Sequence, residues 1–380
     1  MVTQFVPDTD RSDAGTTSAR GADGDVLHVS GLTVEYVTDG APVRACADVT
    51  FTLRRGEILG VAGESGSGKS TLITALTRLQ RPPAVTTAGS IVFHPRDGGP
   101  AIDLVTASPR ALRALRWTSL SIVLQSAMDA LNPVMRLGAQ FADALRTHDR
   151  TLTKDAAWAR AAELLATVGI SGDRARSYPH ELSGGMRQRA SIALALACGP
   201  ELVVMDEPTT AVDVVMQRQI LAQVLRLRRT LGFAVVFVTH DLSLLLELAD
   251  RIAVMYAGRI VELGTARELY DDPRHPYTRG LRDSFPPLHA PLTRLTGIPG
   301  TPPDLRRPPS GCPFHPRCAA RFQGCDTHRP ELVTLGRTAE GGHAVACRLH
   351  EPAARPGPAP DSAPDSAPDP AAVRTEGGAS

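Results

Sequence analysis

Along the middle of the chain, short runs of consecutive apolar residues alternate with longer stretches of mixed, helix-like pattern. Residues 58–62, 202–205 and 234–238 are apolar at nearly every position, as strands covered on both faces require. Residues 27–29, 32–37 and 49–53 read as further β segments ahead of them. Helices are expected over residues 69 to about 79, 156–168 and 188–197. Strands alternating with helices predict an α/β domain built on a mainly parallel sheet. Residues 126 to about 199 are mostly helical in pattern and predict a separate lobe. After about residue 275 prolines multiply and periodicity fades, so a loop-rich module over 275–350 is expected. Residues 1–25 and 351–380 are rich in Asp, Ser, Ala, Gly or Pro, and predict an extended arm and tail.

Composition narrows the class. With 380 residues, 42% of them hydrophobic, the chain can bury a large core. A net charge of +1 gives no basic excess, which argues against nucleic acid as a partner. No run approaches the roughly 18 apolar residues of a membrane span. The acidic start has neither a basic nor an apolar signal region, so a cytosolic protein is expected, meeting the membrane only through a partner.

The chemistry is concentrated in three segments. Gly63, Glu64, Ser65, Gly66, Ser67, Gly68, Lys69 and Ser70, followed by Thr71, form a phosphate-binding loop pattern between an expected strand and an expected helix. Phosphates need closely approaching backbone N–H donors, and glycines allow that approach. Lys69, one of only two lysines, would reach the β- and γ-phosphates, and the Ser70 hydroxyl would bind Mg²⁺. At the end of the strand 202–205 stand Asp206, suited to holding Mg²⁺, and Glu207, suited to act as general base towards water. Ser183, Gly184, Gly185 and Met186 open a helix with Ser183 at its N-cap. That helix start is a second phosphate-binding arrangement in a chain that already has a phosphate loop, which makes sense if it completes another subunit's nucleotide site.

These segments, in this order, resemble the ABC ATPase superfamily. The resemblance implies a RecA-like P-loop core with an antiparallel β subdomain and a helical signature subdomain within residues 26–274. It further implies that Gln125 is the Q-loop residue linking Mg²⁺ and water to the helical lobe, and that Asp213, after Ala211 and Val212, is the D-loop acid. His240 matches the switch histidine, and Tyr36 the aromatic that stacks on adenine. His275, Pro276, Tyr277 and Thr278, the run from Ile298 to Leu305, and the run from Gly311 to Cys318 resemble the C-terminal extension of oligopeptide/dipeptide permease ATPases. Ser126, Ala127 and Met128 depart from the Asp-Pro-Met common in those relatives.

Of six cysteines, Cys312, Cys318, Cys325 and Cys347 fall in the C-terminal module. In a reducing compartment such a cluster points to metal. Zinc sites usually use a tighter Cys pair, so a four-iron four-sulfur cluster is the first expectation, with zinc and unligated thiols or disulfides left open. Cys46 and Cys198 read as buried small hydrophobes.

The resemblance implies ATP and Mg²⁺ as ligands and importer function at the cytoplasmic face of the cell membrane. The implied partners are a second ATPase chain, identical or paralogous, two transmembrane permease subunits and an extracytoplasmic solute-binding protein. Peptides are the default solute, with nickel or another small solute as the alternative. A soluble ABC ATPase of ribosomes or DNA repair is the runner-up; such proteins usually carry two cassettes or a long coiled-coil insert, and this chain has neither. A redox sensor with secondary ATPase activity is a further alternative.

Overall fold

The computed structural model describes residues 24–125, 130–209, 212–284, 297–336 and 342–351. The expected N-terminal arm up to residue 23, the tail from residue 352, Ser126 to Met128 and Ala211 lie outside the described residues.

Along the chain run β1 (Asp25–Tyr36), β2 (Val43–Arg54), β3 (Ile58–Ala62), α1 (Lys69–Leu76), β4 (Ala84–Phe93), β5 (Ile102–Asp103), α2 (Pro109–Leu115) and β6 (Leu120–Val123). Then follow α3 (Leu137–His148), α4 (Lys154–Thr167), α5 (Gly184–Ala195), β7 (Leu202–Asp206), α6 (Val214–Leu231), β8 (Ala234–Val238) and α7 (Leu242–Leu248). The chain continues with β9 (Arg251–Tyr256), β10 (Arg259–Thr265), α8 (Ala266–Asp271), α9 (Pro276–Asp283), β11 (Val333–Leu335) and β12 (His343–Val345).

One sheet is antiparallel, in the order β2-β1-β4-β5. The other has the order β11-β12-β10-β9-β3-β8-β7-β6. Within it β6, β7, β8, β3 and β9 are parallel, while β9, β10, β12 and β11 pair antiparallel. The apolar runs behave as their sequence demands. Val203, Met205, Val235 and Phe237 pack with the helical lobe on one face. Leu202, Val204, Val236 and Val238 pack on the other with α1 and the antiparallel sheet. Phe141, Leu145, Ala161, Leu164 and Ile192 fill the lobe, where α3, α4 and α5 meet.

Boundaries shift where side-chain chemistry overrides periodicity. Helix α1 stops at Leu76 because Arg78 takes φ +54° and spends its guanidinium on Gln80 and the Val105 carbonyl. Helix α5 begins at Gly184, four residues before its periodic run at 188 and where the N-cap expected at Ser183 puts it: Ser183 Oγ accepts from the Met186 N–H at 3.3 Å. The gap between the β segments 27–29 and 32–37 is a register irregularity inside one strand, β1.

The segment after residue 275 is integrated with the core. Strand β12 pairs with β10, setting Val345 opposite Glu262 and Ala344 opposite Leu263. Glu262 is wholly buried there. Its carboxylate accepts from the Arg274 N–H (2.6 Å), the His275 N–H (2.9 Å) and His343 Nε2 (2.6 Å). Burial alone would raise this carboxyl, but these bonds outweigh it and hold the group below the usual range. No helix among the described residues is long and apolar enough to cross a membrane.

Candidate nucleotide site

Parallel sheets present their ligand groups beyond the carboxyl ends of their strands, and here four neighbouring strands do so. The phosphate-loop pattern follows β3, Gln125 follows β6, Asp206 and Glu207 end β7, and His240 follows β8. A cavity of about 600 Å³ opens at this edge.

The loop is shaped by crowding from the backbone. Gly63 has φ +151°, and a Cβ there would run into the Met255 carbonyl. Gly68 has φ +103°, and a Cβ there would run into the Ala45 carbonyl. Gly68 precedes α1 without a side-chain cap, so the first N–H groups of the helix stay available to an anion. Lys69 is buried and donates to the Gly63 carbonyl at 2.7 Å and the Glu64 carbonyl at 2.9 Å. Burial lowers its ammonium pKa, against the raising influence of Glu207, Asp206 and Glu64. Ser65, Gly66, Ser70 and Thr71 line the same cavity. Ser67 is buried, and its Oγ has no hydrogen-bond partner among the described residues.

Glu207 stands at φ +41°, a region that costs a non-glycine residue about 1–3 kcal/mol. Its N–H donates to the Val238 carbonyl of the neighbouring strand at 2.9 Å, which holds this conformation. Two expected partners converge on its carboxylate: Gln125 Nε2 donates to Oε2 at 3.2 Å, and His240 Nδ1 lies 3.2 Å from Oε1. Beside it, the Asp206 carboxyl is raised, mainly by burial and further by Glu207, with Lys69 opposing. Two adjacent carboxylates in a half-buried place, with an exposed Ser70 hydroxyl on the cavity wall, form a hard oxygen donor set that fits Mg²⁺.

Tyr36 lines the cavity and its hydroxyl lies 3.2 Å from Thr71 Oγ1. Val43 and Ala45 continue that wall. Leu305 also lines the cavity; sequence reasoning placed it only in a subfamily motif and gave it no role at the nucleotide.

The other expected site residues stand elsewhere. Ser183 and Gly184 are exposed at the start of α5, away from the walls of this cavity. Gly185 is buried against Met216 of α6. Asp213 is exposed and caps α6, accepting from the Met216 N–H at 2.9 Å.

Cys312, Cys318, Cys325 and Cys347 come together around one small cavity of about 20 Å³, roughly the room of one water. Burial raises the Cys312 and Cys318 thiols and pushes Cys347 up to about 11. His275 lines this cavity too, with Nδ1 accepting from the Tyr277 N–H at 3.0 Å and Nε2 buried without a hydrogen-bond partner. Among the described residues no three His, Cys, Asp or Glu side chains form a group that could hold a metal ion. The iron–sulfur and zinc expectations therefore find no support in the side-chain geometry of the described residues. Cys46 is fully buried, and burial pushes its thiol up to about 12; Cys198 packs against the core of the lobe.

Fold and site together define a P-loop ATPase of the ABC class, and the chain is an ATP hydrolase. The ABC transporter family matches residues 46–210, and the oligopeptide/dipeptide transporter C-terminal region matches residues 261–325. The dipeptide transport ATP-binding protein DppD of Bacillus subtilis (strain 168) is 42% identical over 330 residues, covering 86% of this chain and 95% of that protein. The oligopeptide transport ATP-binding protein OppD of the same organism is 45% identical over 293 residues, covering 76% of this chain and 80% of that protein. Among solved structures, the dimeric ATP-binding cassette MJ0796 in a post-hydrolysis state bound to ADP and Pi is similar at a TM-score of 0.56 and 26% identity, covering 63% of this chain and 99% of that one. The chain belongs to the family of ATP-binding proteins of oligopeptide/dipeptide ABC transporters.

Replacing Glu207 with Gln keeps its shape and removes its basicity. Glu207→Gln is expected to slow ATP hydrolysis by about 100-fold or more, measured as phosphate release, while equilibrium ATP binding stays at the wild-type level. Near-normal turnover would remove Glu207 from the role of base.

Proposed function

We propose that this chain powers the uptake of oligopeptides or dipeptides across the cytoplasmic membrane, from its cytoplasmic face. The observation that carries this reading is the convergence of Gln125 and His240 on Glu207 beside the Lys69 loop, in a chain whose C-terminal match is to peptide transporters. Lys69 exchanges the Gly63 and Glu64 carbonyls for the β- and γ-phosphates of ATP. Ser65, Gly66, Gly68 and the first turn of α1 supply N–H donors, and Tyr36 packs against adenine. Glu207 takes the proton of the attacking water, oriented by Gln125 and His240. Ser70, Asp206 and Gln125 would hold Mg²⁺, which when bound would supply positive charge against the phosphates. Peptides are favoured over nickel because the relatives above carry dipeptide and oligopeptide transport in their names.

The partners follow from what one chain leaves unfinished. The helix start at Ser183, Gly184, Gly185 and Met186, exposed at Ser183 and Gly184, serves the γ-phosphate of a second ATPase chain. Asp213 and the neighbouring Val214 and Val215, each valine 68% exposed, form part of the face between the two. Two permease subunits and a solute-binding protein complete the importer. Membrane vesicles holding the whole complex should accumulate a labelled dipeptide only with ATP, and Lys69→Ala should abolish it. Uptake of nickel instead of peptide would overturn the solute.

Mixing variants tests the composite site. A Ser183→Arg chain combined with a Lys69→Ala chain should recover hydrolysis that neither shows alone, because one intact site forms between them. No recovery from a proven homodimer would refute the composite site.

For the C-terminal thiols we propose a structural iron–sulfur cluster, with Cys312, Cys318, Cys325 and Cys347 as ligands and the unspent His275 N–H beside it. The support is the gathering of four thiols around one space in a proline-rich segment short of large apolar residues. A bound cluster would supply four sulfur bonds that staple the segment. Anaerobically purified protein should absorb broadly near ~400 nm and hold about four irons per chain, and Cys318→Ser should lose both and become protease-sensitive between residues 297 and 351. Stoichiometric zinc, or a metal-free and protease-resistant segment, would reject the cluster.

A further inference from the structure

Glu64 sits inside the phosphate loop, yet its contacts lead to residues more than 200 positions away. Its carboxylate takes two bonds from Arg317: Nη1 donates to Oε2 at 2.6 Å and Nη2 to Oε1 at 3.0 Å. Its backbone N–H donates to the Tyr277 hydroxyl at 2.8 Å. Its carbonyl accepts from Lys69 at 2.9 Å. One loop residue thus joins the phosphate-binding lysine to the C-terminal segment through side chain, N–H and carbonyl.

Arg317 is built to hold still. It is 8% exposed. Nε donates to the Pro299 carbonyl at 2.8 Å, and the remaining reach of the fork goes to the Tyr256 hydroxyl (3.3 Å) and the Gly300 carbonyl (3.4 Å). The rings of Tyr256 and Phe314 lie 5.8 and 5.9 Å from its guanidinium carbon. Tyr277 packs in the same cage, 4.6 Å from Tyr256 and 5.4 Å from Phe314 between ring centroids. A bidentate guanidinium–carboxylate pair fixes orientation as well as distance. Here the guanidinium is buried and the Glu64 carboxylate half-buried, and the doubly bonded pair resists the motions that an exposed glycine loop otherwise makes.

We propose that Arg317 and Tyr277 are positioning residues for the phosphate loop, so that the C-terminal segment sets the affinity for nucleotide. The proposal rests on the reading of the cavity as the ATP site. The clamp fixes the backbone at Glu64 before nucleotide arrives, and the ordering cost of binding falls accordingly. The same segment carries Leu305 to the cavity wall, and Arg317 lies directly before Cys318 on the thiol cavity. Loosening of that segment would therefore be felt as weaker ATP binding, with the chemical step at Glu207 left in place.

Equilibrium binding of a fluorescent ATP analogue to the complete chain, with steady-state hydrolysis by the assembled transporter, tests this. Tyr277→Phe removes one oxygen and keeps the ring packing; it should weaken binding about threefold to tenfold. Arg317→Ala should weaken it about tenfold or more. In both, KM for ATP should rise while kcat at saturating ATP stays within about threefold of wild type. Glu64→Ala combined with Arg317→Ala should bind within about twofold of Arg317→Ala alone, because the pair acts as a unit. If Arg317→Ala does not fold, Tyr277→Phe and Glu64→Gln carry the test. Unchanged ATP affinity in Tyr277→Phe and Glu64→Gln, with wild-type melting, would overturn the clamp, as would strict additivity of the Glu64 and Arg317 changes. Wild-type ATP binding by Lys69→Ala would instead overturn the reading of the cavity itself.

Discussion

A phosphate loop must offer its N–H groups to solvent and still keep one shape, and in this protein that conflict is resolved by crowding the loop from behind. The Met255 carbonyl stands where Gly63 would carry a Cβ, and the Ala45 carbonyl does the same at Gly68. Gly258 adds a hydrogen bond from its N–H to the Ser67 carbonyl at 3.0 Å. Met255 belongs to the main sheet and Ala45 to the antiparallel sheet, so the loop is held between the two sheets. Only glycine at 63 and 68 permits that approach. The arrangement leaves the opposite side of the loop open, which is the side of the cavity.

The remaining groups are placed by strand order. Strand β3 lies between β9 and β8, and β7 and β6 follow outwards. His240, Glu207 and Gln125 therefore arrive from three successive strands at the same edge, without any long loop to position them. Short travel from a rigid strand end limits how far a side chain can stray. The cost is borne by Asp206, whose carboxyl is raised mainly by burial at the strand end and further by the neighbouring Glu207.

Much of this was legible in the sequence because it is local. Buried parallel strands must be apolar at every position, so 58–62, 202–205 and 234–238 stand out, and the glycines of the loop announce their conformation. Gln125 and His240 carry no local signal; only their order within a family resemblance placed them, and their meeting at Glu207 is a tertiary fact. The Arg317–Glu64 pair spans 253 positions, and no periodicity encodes a contact of that range. Tyr277 was visible as part of a subfamily motif, but the bond from Glu64 was not. The strand His343–Val345 was missed because three residues are too few to show alternation, and its identity depends on β10 being there to receive it. The four cysteines were legible as a group and do gather, but their spacing says nothing about the room between them.

The placement of the signature segment constrains how such a site can work. Ser183 caps α5 through the Met186 N–H, and that single bond leaves further N–H groups of the first turn unspent. Ser183 and Gly184 are exposed, although Gly185 is packed against Met216 and the helix behind them is anchored in the lobe core. A helix end that does not line its own chain's cavity has no intramolecular use there for its positive end. On the proposed reading it finds one only when a second chain brings a γ-phosphate to it. Closure of two chains over ATP would then draw on groups that each folded chain already holds in place, and release of phosphate would remove the ligand that both helix ends share.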